Sequence, residues 1–222
     1  MSKKGCVLKD TDPLISQKIH SLNVNWYYTW GQDAVDGVKL PFVPMVWGKK
    51  SPIPASQNVI LVLNEPDRPD QSNVTVTEAL SIWNSVNAQR RGSPAIAANP
   101  LKSPWFNEFM NKAKPDFICI HWYGPPHTDS LLQLVDTLHD KYMLPIWITE
   151  FSVAQWDSSK PLYSVDSVSQ FMRDIVPELN VRTFIERYAW KTRDQSDPRM
   201  GTSALFDSQG NLTSLGKLYA SL

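Results

Sequence analysis

Eight apolar, aromatic or β-branched runs alternate with longer amphipathic stretches along this 222-residue chain, and no other feature restricts the fold as strongly. A short apolar run followed by a helical pattern is a βα unit, and repeated units set their strands parallel in one sheet. The runs fall near Gly5–Leu8, Val24–Trp30, Phe42–Trp47, Val59–Asn64, Ala95–Asn99, Phe117–Trp122, Ile146–Thr149 and Ile185–Trp190. Helical patterns are read at Thr75–Arg91, Pro104–Lys114, Asp129–Lys141, Val165–Pro177 and Thr213–Ser221. Pro13, Pro104 and Pro177 sit where helix starts or ends tolerate a missing N–H, and Thr213 is placed to cap a helix after the Gly210 turn. Short segments join the second, third and fourth strands. The pattern predicts one domain over residues 1–222, a compact (β/α)8 TIM barrel with thin helical cover in its first half. The length lies near the lower limit for that architecture.

Lys plus Arg and Asp plus Glu both number 22, so no net charge draws the chain toward nucleic acid or an anionic membrane surface. An uncharged substrate is the expectation. Aromatic residues make up 11% of the chain and include nine Trp, the side chain best suited to stacking on the apolar face of a sugar ring while keeping a polar N–H. No apolar run approaches the roughly 20 residues of a membrane helix. Met1-Ser-Lys-Lys leads almost directly into Gly5-Cys-Val-Leu8 without the apolar core of a signal peptide, which leaves two readings, an intracellular protein or one whose leader was removed. Asn73-Val-Thr75 and Asn211-Leu-Thr213 fit the glycosylation pattern and tilt toward secretion. Cys6 and Cys119 fall on the first and sixth strands, which are not barrel neighbours, and are expected to be free buried thiols. A monomer is expected.

Glu65 and Glu150 each stand where an apolar run stops. The C-terminal ends of barrel strands open onto the face where barrel enzymes keep their chemistry, and an unused carboxylate there is expensive to bury. Two such acids fit glycoside hydrolysis, in which one carboxyl protonates the leaving oxygen while the other attacks the anomeric carbon or activates water. A salt-bridged rim residue is the alternative for either one. Strict period-two alternation aligns Leu61, Leu63 and Glu65, then Ile146, Ile148 and Glu150, then Phe117, Cys119, His121 and Tyr123. An imidazole and a phenol are thereby placed at the rim beside the acids. Glu65, between Asn64 and Pro66, suits a general acid/base, and Glu150, with Thr149 and Tyr123 near it, suits an ionised nucleophile.

Trp30, Trp47, Trp122 and Trp190 all end strands, and Tyr28 shares a face with Trp30. A sugar-stacking cleft is one reading of these residues; plugging the barrel or seating helices is the other. Trp105 and Trp156 follow strands five and seven and could lengthen the cleft. His20, His127 and His139 lack the spacing of a metal site, so neither metal nor cofactor is expected. Lys191 could carry Schiff-base chemistry, but the stretch after it reads as solvated loop. Asp67–Asn73 reads as a solvated turn. No Gly-rich loop follows strand seven or eight, which argues against phosphorylated substrates.

Asn25-Trp-Tyr-Tyr-Thr-Trp30, Phe42-Val-Pro-Met-Val-Trp-Gly48, Leu63-Asn-Glu-Pro-Asp67, Gln71-Ser-Asn73, Ile120-His-Trp-Tyr-Gly124, Pro145-Ile-Trp-Ile-Thr-Glu-Phe151, Arg187-Tyr-Ala-Trp190 and Leu212-Thr-Ser-Leu-Gly216 together resemble glycoside hydrolase family 128. The resemblance covers essentially the whole chain. It implies a compact clan A-type barrel that acts on β-1,3-glucan with retention and needs no cofactor. Glu65 takes the acid/base role by motif and Glu150 the nucleophile role, while Asn64, His121, Tyr123 and the rim tryptophans take substrate-binding roles. Members differ in endo or exo action, and some bind oligosaccharides with little turnover. The reading is a secreted or cell-wall-associated endo-β-1,3-glucanase. The chain departs from the pattern at its start, where Cys6-Val-Leu8 runs into Lys9-Asp10 in place of a Gly-Leu-Ala-Tyr-Asn type of run.

Overall fold

The computed structural model describes residues 3–222. Eight parallel strands close a ring: β1 Lys4–Val7, β2 Trp26–Tyr28, β3 Met45–Val46, β4 Gln57–Val62, β5 Ala88–Arg91, β6 Ile118–Gly124, β7 Ile146–Val153 and β8 Ile185–Lys191. The hydrogen-bonded order runs β2-β1-β8-β7-β6 on one side and β3-β4-β5 on the other. Single parallel bridges, Tyr27 to Phe42 and Gly92 to Phe117, join the two arcs. Six helices pack outside: α1 Ile15–Ser21, α2 Val76–Ser85, α3 Pro104–Ala113, α4 Thr128–Tyr142, α5 Val165–Val181 and α6 Ser214–Ser221. No helix lies between β2 and β3 or between β3 and β4, the thin cover that the short connections predict.

Two regions differ most from the sequence reading. The fifth strand is Ala88–Arg91, not Ala95–Asn99, and α2 ends at Ser85 instead of Arg91. Ala88-Gln-Arg-Arg91 carries no apolar run, so it reads as a solvated helix end. In the fold its arginines cover rings with their stems: Arg90 lies over Phe117 and pairs with Glu186, and Arg91 lies over Trp83. Ala95 does touch the barrel wall, through one bridge to Asn64. The second difference is α5, which continues through Pro177 to Val181. Buried Val176 and Leu179 flank the proline, and their packing carries the helix past it.

The inner layer is aromatic where branched aliphatics are usual. Trp26, Tyr28, Phe117 and Trp147 fill it with Val7, Met45, Leu61 and Cys119. Phe117 stacks on Trp147 at 4.2 Å, and Arg187 caps Trp147 at 4.3 Å. Gly5 makes room for this filling, since a Cβ there would lie 2.2 Å from the Trp26 indole. The closed floor leaves the C-terminal mouth as the working face. Cys6 packs in the outer layer and Cys119 in the inner one, and both are free.

Candidate active site

The mouth is shaped by departures from regular strand geometry. β6 and β7 pair in register through Ile120–Ile148, and the next pair is His121–Glu150, so Thr149 is an extra residue in β7. Such a bulge re-aims the side chains beyond it. Trp147 faces the barrel interior, Ile146 and Ile148 face the helices, and Glu150 turns back to the mouth. The expected alignment of Ile146, Ile148 and Glu150 on one face therefore does not hold. β4 shows the same effect by a different route. Leu61 is interior, Leu63 packs outward with φ 64°, and Glu65 returns to the mouth with φ 42°. Trp30 adopts φ 62° as well. Left-handed backbone costs a non-glycine residue about 1–3 kcal/mol and persists only where surroundings enforce it. Here Leu63 N–H donates to Val46 O at 2.7 Å and Glu65 N–H to Ala95 O at 2.8 Å. Phe117, Cys119, His121 and Tyr123 share a face as predicted.

Glu65 and Glu150 meet across one imidazole. His121 Nδ1 lies 2.8 Å from Glu65 Oε1, and Nε2 lies 3.4 Å from Glu150 Oε1 at an angle outside hydrogen-bond geometry. The two acids differ in surroundings. The Glu150 side chain is 6% exposed and that of Glu65 13%. Glu150 accepts from Trp30 Nε1–H at 2.8 Å and Tyr28 O–H at 3.3 Å on one oxygen, and from Tyr123 O–H on the other. Burial alone would raise its pKa. The positive charges of His121 and Lys191, with the Tyr123 and Trp30 donors, outweigh burial and hold it below the usual carboxylate value. His121 shows the converse balance: burial disfavours its charge, but Glu150 and Glu65 prevail and its pKa is raised. Burial and the adjacent Glu150 push the Tyr28 and Tyr123 phenols well above their ordinary range, which keeps both as donors.

A cleft of about 500 Å³ contains this pair, with Trp30, Trp47 and Trp156 on its walls. Trp156, in the loop after β7, is 57% exposed and donates to Tyr123 O. Asn64 lines the cleft; its Nδ2 donates to Gln71 Oε1 at 3.2 Å, while its buried Oδ1 accepts from no described residue.

Other aromatic expectations are corrected. Trp190 is 0% exposed and faces outward, donating to Ser203 O and packing on Phe151 and Phe171. Trp122 stacks on Phe171 of α5. Neither lines the cleft, because alternation on β6 and β8 sends each toward the helices while its neighbour faces the mouth. Tyr28 is fully buried beneath the cleft and supports Glu150 without offering a surface to substrate. Trp105 stacks on Phe109 and donates to Val74 O, anchoring α3.

Sequence reasoning missed Arg68, Asp70 and Gln71, which reach the cleft from the loop read as a solvated turn. It also missed Arg193, and it weighed Lys191 only for Schiff-base chemistry; both approach from the end of β8. The period-two rule, applied outward from Trp190, would have placed Lys191 at the mouth. Among the described residues no three His, Cys, Asp or Glu side chains converge as a metal would require, and no helix is long and apolar enough to cross a membrane.

The family described as the glycosyl hydrolase catalytic core matches residues 5–219. The chain belongs to that family. This glycosyl hydrolase core is 30% identical over 239 aligned positions to alkali-sensitive linkage protein 1 of Schizosaccharomyces pombe, a match that takes in 99% of this chain and 44% of that protein. The chain thus spans less than half the length of that relative. Among solved structures, it is similar to a subgroup I endo-β-1,3-glucanase of glycoside hydrolase family 128 from Amycolatopsis mediterranei in complex with laminaritriose. The identity is 27%, the TM-score 0.81, and the match covers 100% of this chain and 99% of that one. A subgroup V exo-β-1,3-glucanase from Cryptococcus neoformans shares the fold at TM-score 0.81 and 23% identity, over 99% of this chain and 98% of its own. The family 128 resemblance and the barrel fold are both borne out.

Proposed function

We propose that this protein hydrolyses β-1,3-glucan within the chain by a retaining double displacement, without a cofactor. The observation that carries this reading is the asymmetry of the acid pair. Glu150 is the more buried acid, receives three hydrogen bonds and is held ionised, as a nucleophile must be. Glu65 is the more accessible acid and shares a 2.8 Å contact with His121. That contact lets a proton pass between the carboxyl and the imidazole at the edge of the cleft, within reach of a leaving oxygen.

In the first step Glu65 protonates the glycosidic oxygen as Glu150 bonds to the anomeric carbon and the leaving chain departs. In the second, Glu65 takes a proton from water, the resulting hydroxide attacks the same carbon, and Glu150 leaves as carboxylate. Asn64 Oδ1 is placed to accept a sugar hydroxyl, and Trp30, Trp47 and Trp156 offer ring faces. The similarity to the laminaritriose-bound glucanase supports the substrate class.

Endo action is supported by the shape of the groove. A second cavity of about 420 Å³ adjoins the first, sharing Trp30, Lys9, Lys191 and Arg193, so the groove continues on the β1–β8 side. Arg68 and Gln71 extend it on the β4 side. Exposed Asn73 and Asn211 in glycosylation patterns favour action outside the cell, secreted or at a cell wall.

Chromatography of laminarihexaose digests tests this reading. Di-, tri- and tetrasaccharides are expected first. Early glucose with pentasaccharide would replace endo with exo action, and binding without any product would make the protein a glucan-binding module.

A further inference from the structure

Lys191 ends β8, paired in register with Val7 of β1. Trp190 before it points to the helices, so the lysine points to the mouth, on the wall shared by both cavities. Its Nζ stands 3.9 Å above the centre of the Trp30 ring. It forms no ion pair among the described residues. A largely buried ammonium without a counter-ion is costly, and burial lowers its pKa to about 8. The ring beneath it is the one whose N–H donates to Glu150 at 2.8 Å. A cation on an indole face is attracted by the ring and polarises it toward a stronger N–H donor.

Charged groups stand on several elements around the lysine: Asp12, Lys18, Asp194, Asp197 and Asp207 line the second cavity with it. Lys9 after β1 and Arg193 beyond β8 face the lysine and oppose its charge, and Arg193 is itself paired with Asp197 at 3.2 Å. Glu150 on β7 and Glu65 after β4 favour its charge. Around Glu150 stand His121 and Tyr123 on β6 and Tyr28 on β2. Of these groups His121 serves both acids, whereas Lys191 acts on Glu150 by its charge across space and through the Trp30 indole beneath it.

We propose that Lys191 is a positioning residue for Glu150: standing on Trp30, it fixes the indole N–H on the carboxylate and keeps Glu150 ionised, extending activity to lower pH. This is a role for the charge, distinct from Schiff-base chemistry. The kinetic consequence rests on Glu150 being the nucleophile; the effect on Glu150 itself does not.

The test compares wild type with Lys191→Met, which keeps the aliphatic stem, and Lys191→Arg, which keeps the charge. Lys191→Gln replaces the Met variant if thermal melting shows that variant misfolded. Two quantities are read: the Glu150 carboxyl titration by carbon-13 NMR, assigned by its loss in Glu150→Gln, and the acid limb of kcat/KM on laminarihexaose. In the Met variant both should move upward by about one pH unit. In the Arg variant both should stay close to wild type. An unmoved Glu150 titration in the Met variant overturns the proposal. A moved titration with an unmoved acid limb upholds the effect of Lys191 on Glu150 and contradicts the nucleophile role.

Discussion

Glu150→Ala is expected to lower kcat on laminarihexaose by roughly 10⁴-fold or more, the scale seen when a covalent nucleophile is removed. Binding should survive. The aromatic surfaces that would hold the sugar, Trp47 and Trp156, make no hydrogen bond to Glu150, and Trp156 is anchored on the backbone oxygen of Tyr123, so calorimetry should find oligosaccharide affinity within a few-fold of wild type. The substitution strands the Trp30 and Tyr123 donors, each of which loses a buried acceptor, while Tyr28 keeps Thr149 O at 3.1 Å. Glu150→Gln keeps an amide oxygen for some of them and serves as the better-folded companion. Azide offers a further diagnosis. In the alanine variant it can enter the space of the missing carboxylate and displace an activated β-leaving group once, giving the α-glycosyl azide. A rate unchanged from wild type in either variant would remove Glu150 from the mechanism.

Glu65→Gln is expected to reduce turnover of laminarihexaose by about 10²–10⁴-fold, the usual contribution of a positioned general acid. The loss should depend on the leaving group. An aryl glucoside whose phenolate leaves unaided needs no proton, so its glycosylation step should be nearly spared and a burst of phenol should precede slow turnover. Added azide should then speed turnover of the Glu65→Ala variant and yield the β-glycosyl azide, because it attacks the intermediate without base catalysis. Equal losses on natural and activated substrates would assign Glu65 a structural role beside His121. The opposite anomers of azide product from the two variants separate the acids by a readout independent of rate.

The catalytic candidates were legible because a carboxylate that ends a buried strand is too costly to be incidental. His121 and Tyr123 were legible because β6 alternates regularly. The route by which the acids reach the mouth was not. Glu150 arrives there through the extra Thr149 of β7 and Glu65 through left-handed Leu63, and a period-two rule carries no sign of either device. Trp30 and Trp190 illustrate the limit for side chains. Both are tryptophans at strand ends, yet one donates to Glu150 and the other is sealed beneath α5 and α6. One residue of register decides the difference, and composition is blind to it. β5 escaped for a related reason, since Arg90 and Arg91 pack through their methylenes and rings while a hydropathy pattern records only their charges.

The central claim is retention by a nucleophilic Glu150, and stereochemistry tests it most directly. Time-resolved proton NMR of laminarihexaose with enough wild-type enzyme to outrun mutarotation reads the anomer released at the cleaved bond. The account predicts the β-anomer first, with the α-anomer growing in later as the products equilibrate. An initial α-anomer would mean a single displacement by water, and would contradict the assignment of Glu150 as a nucleophile.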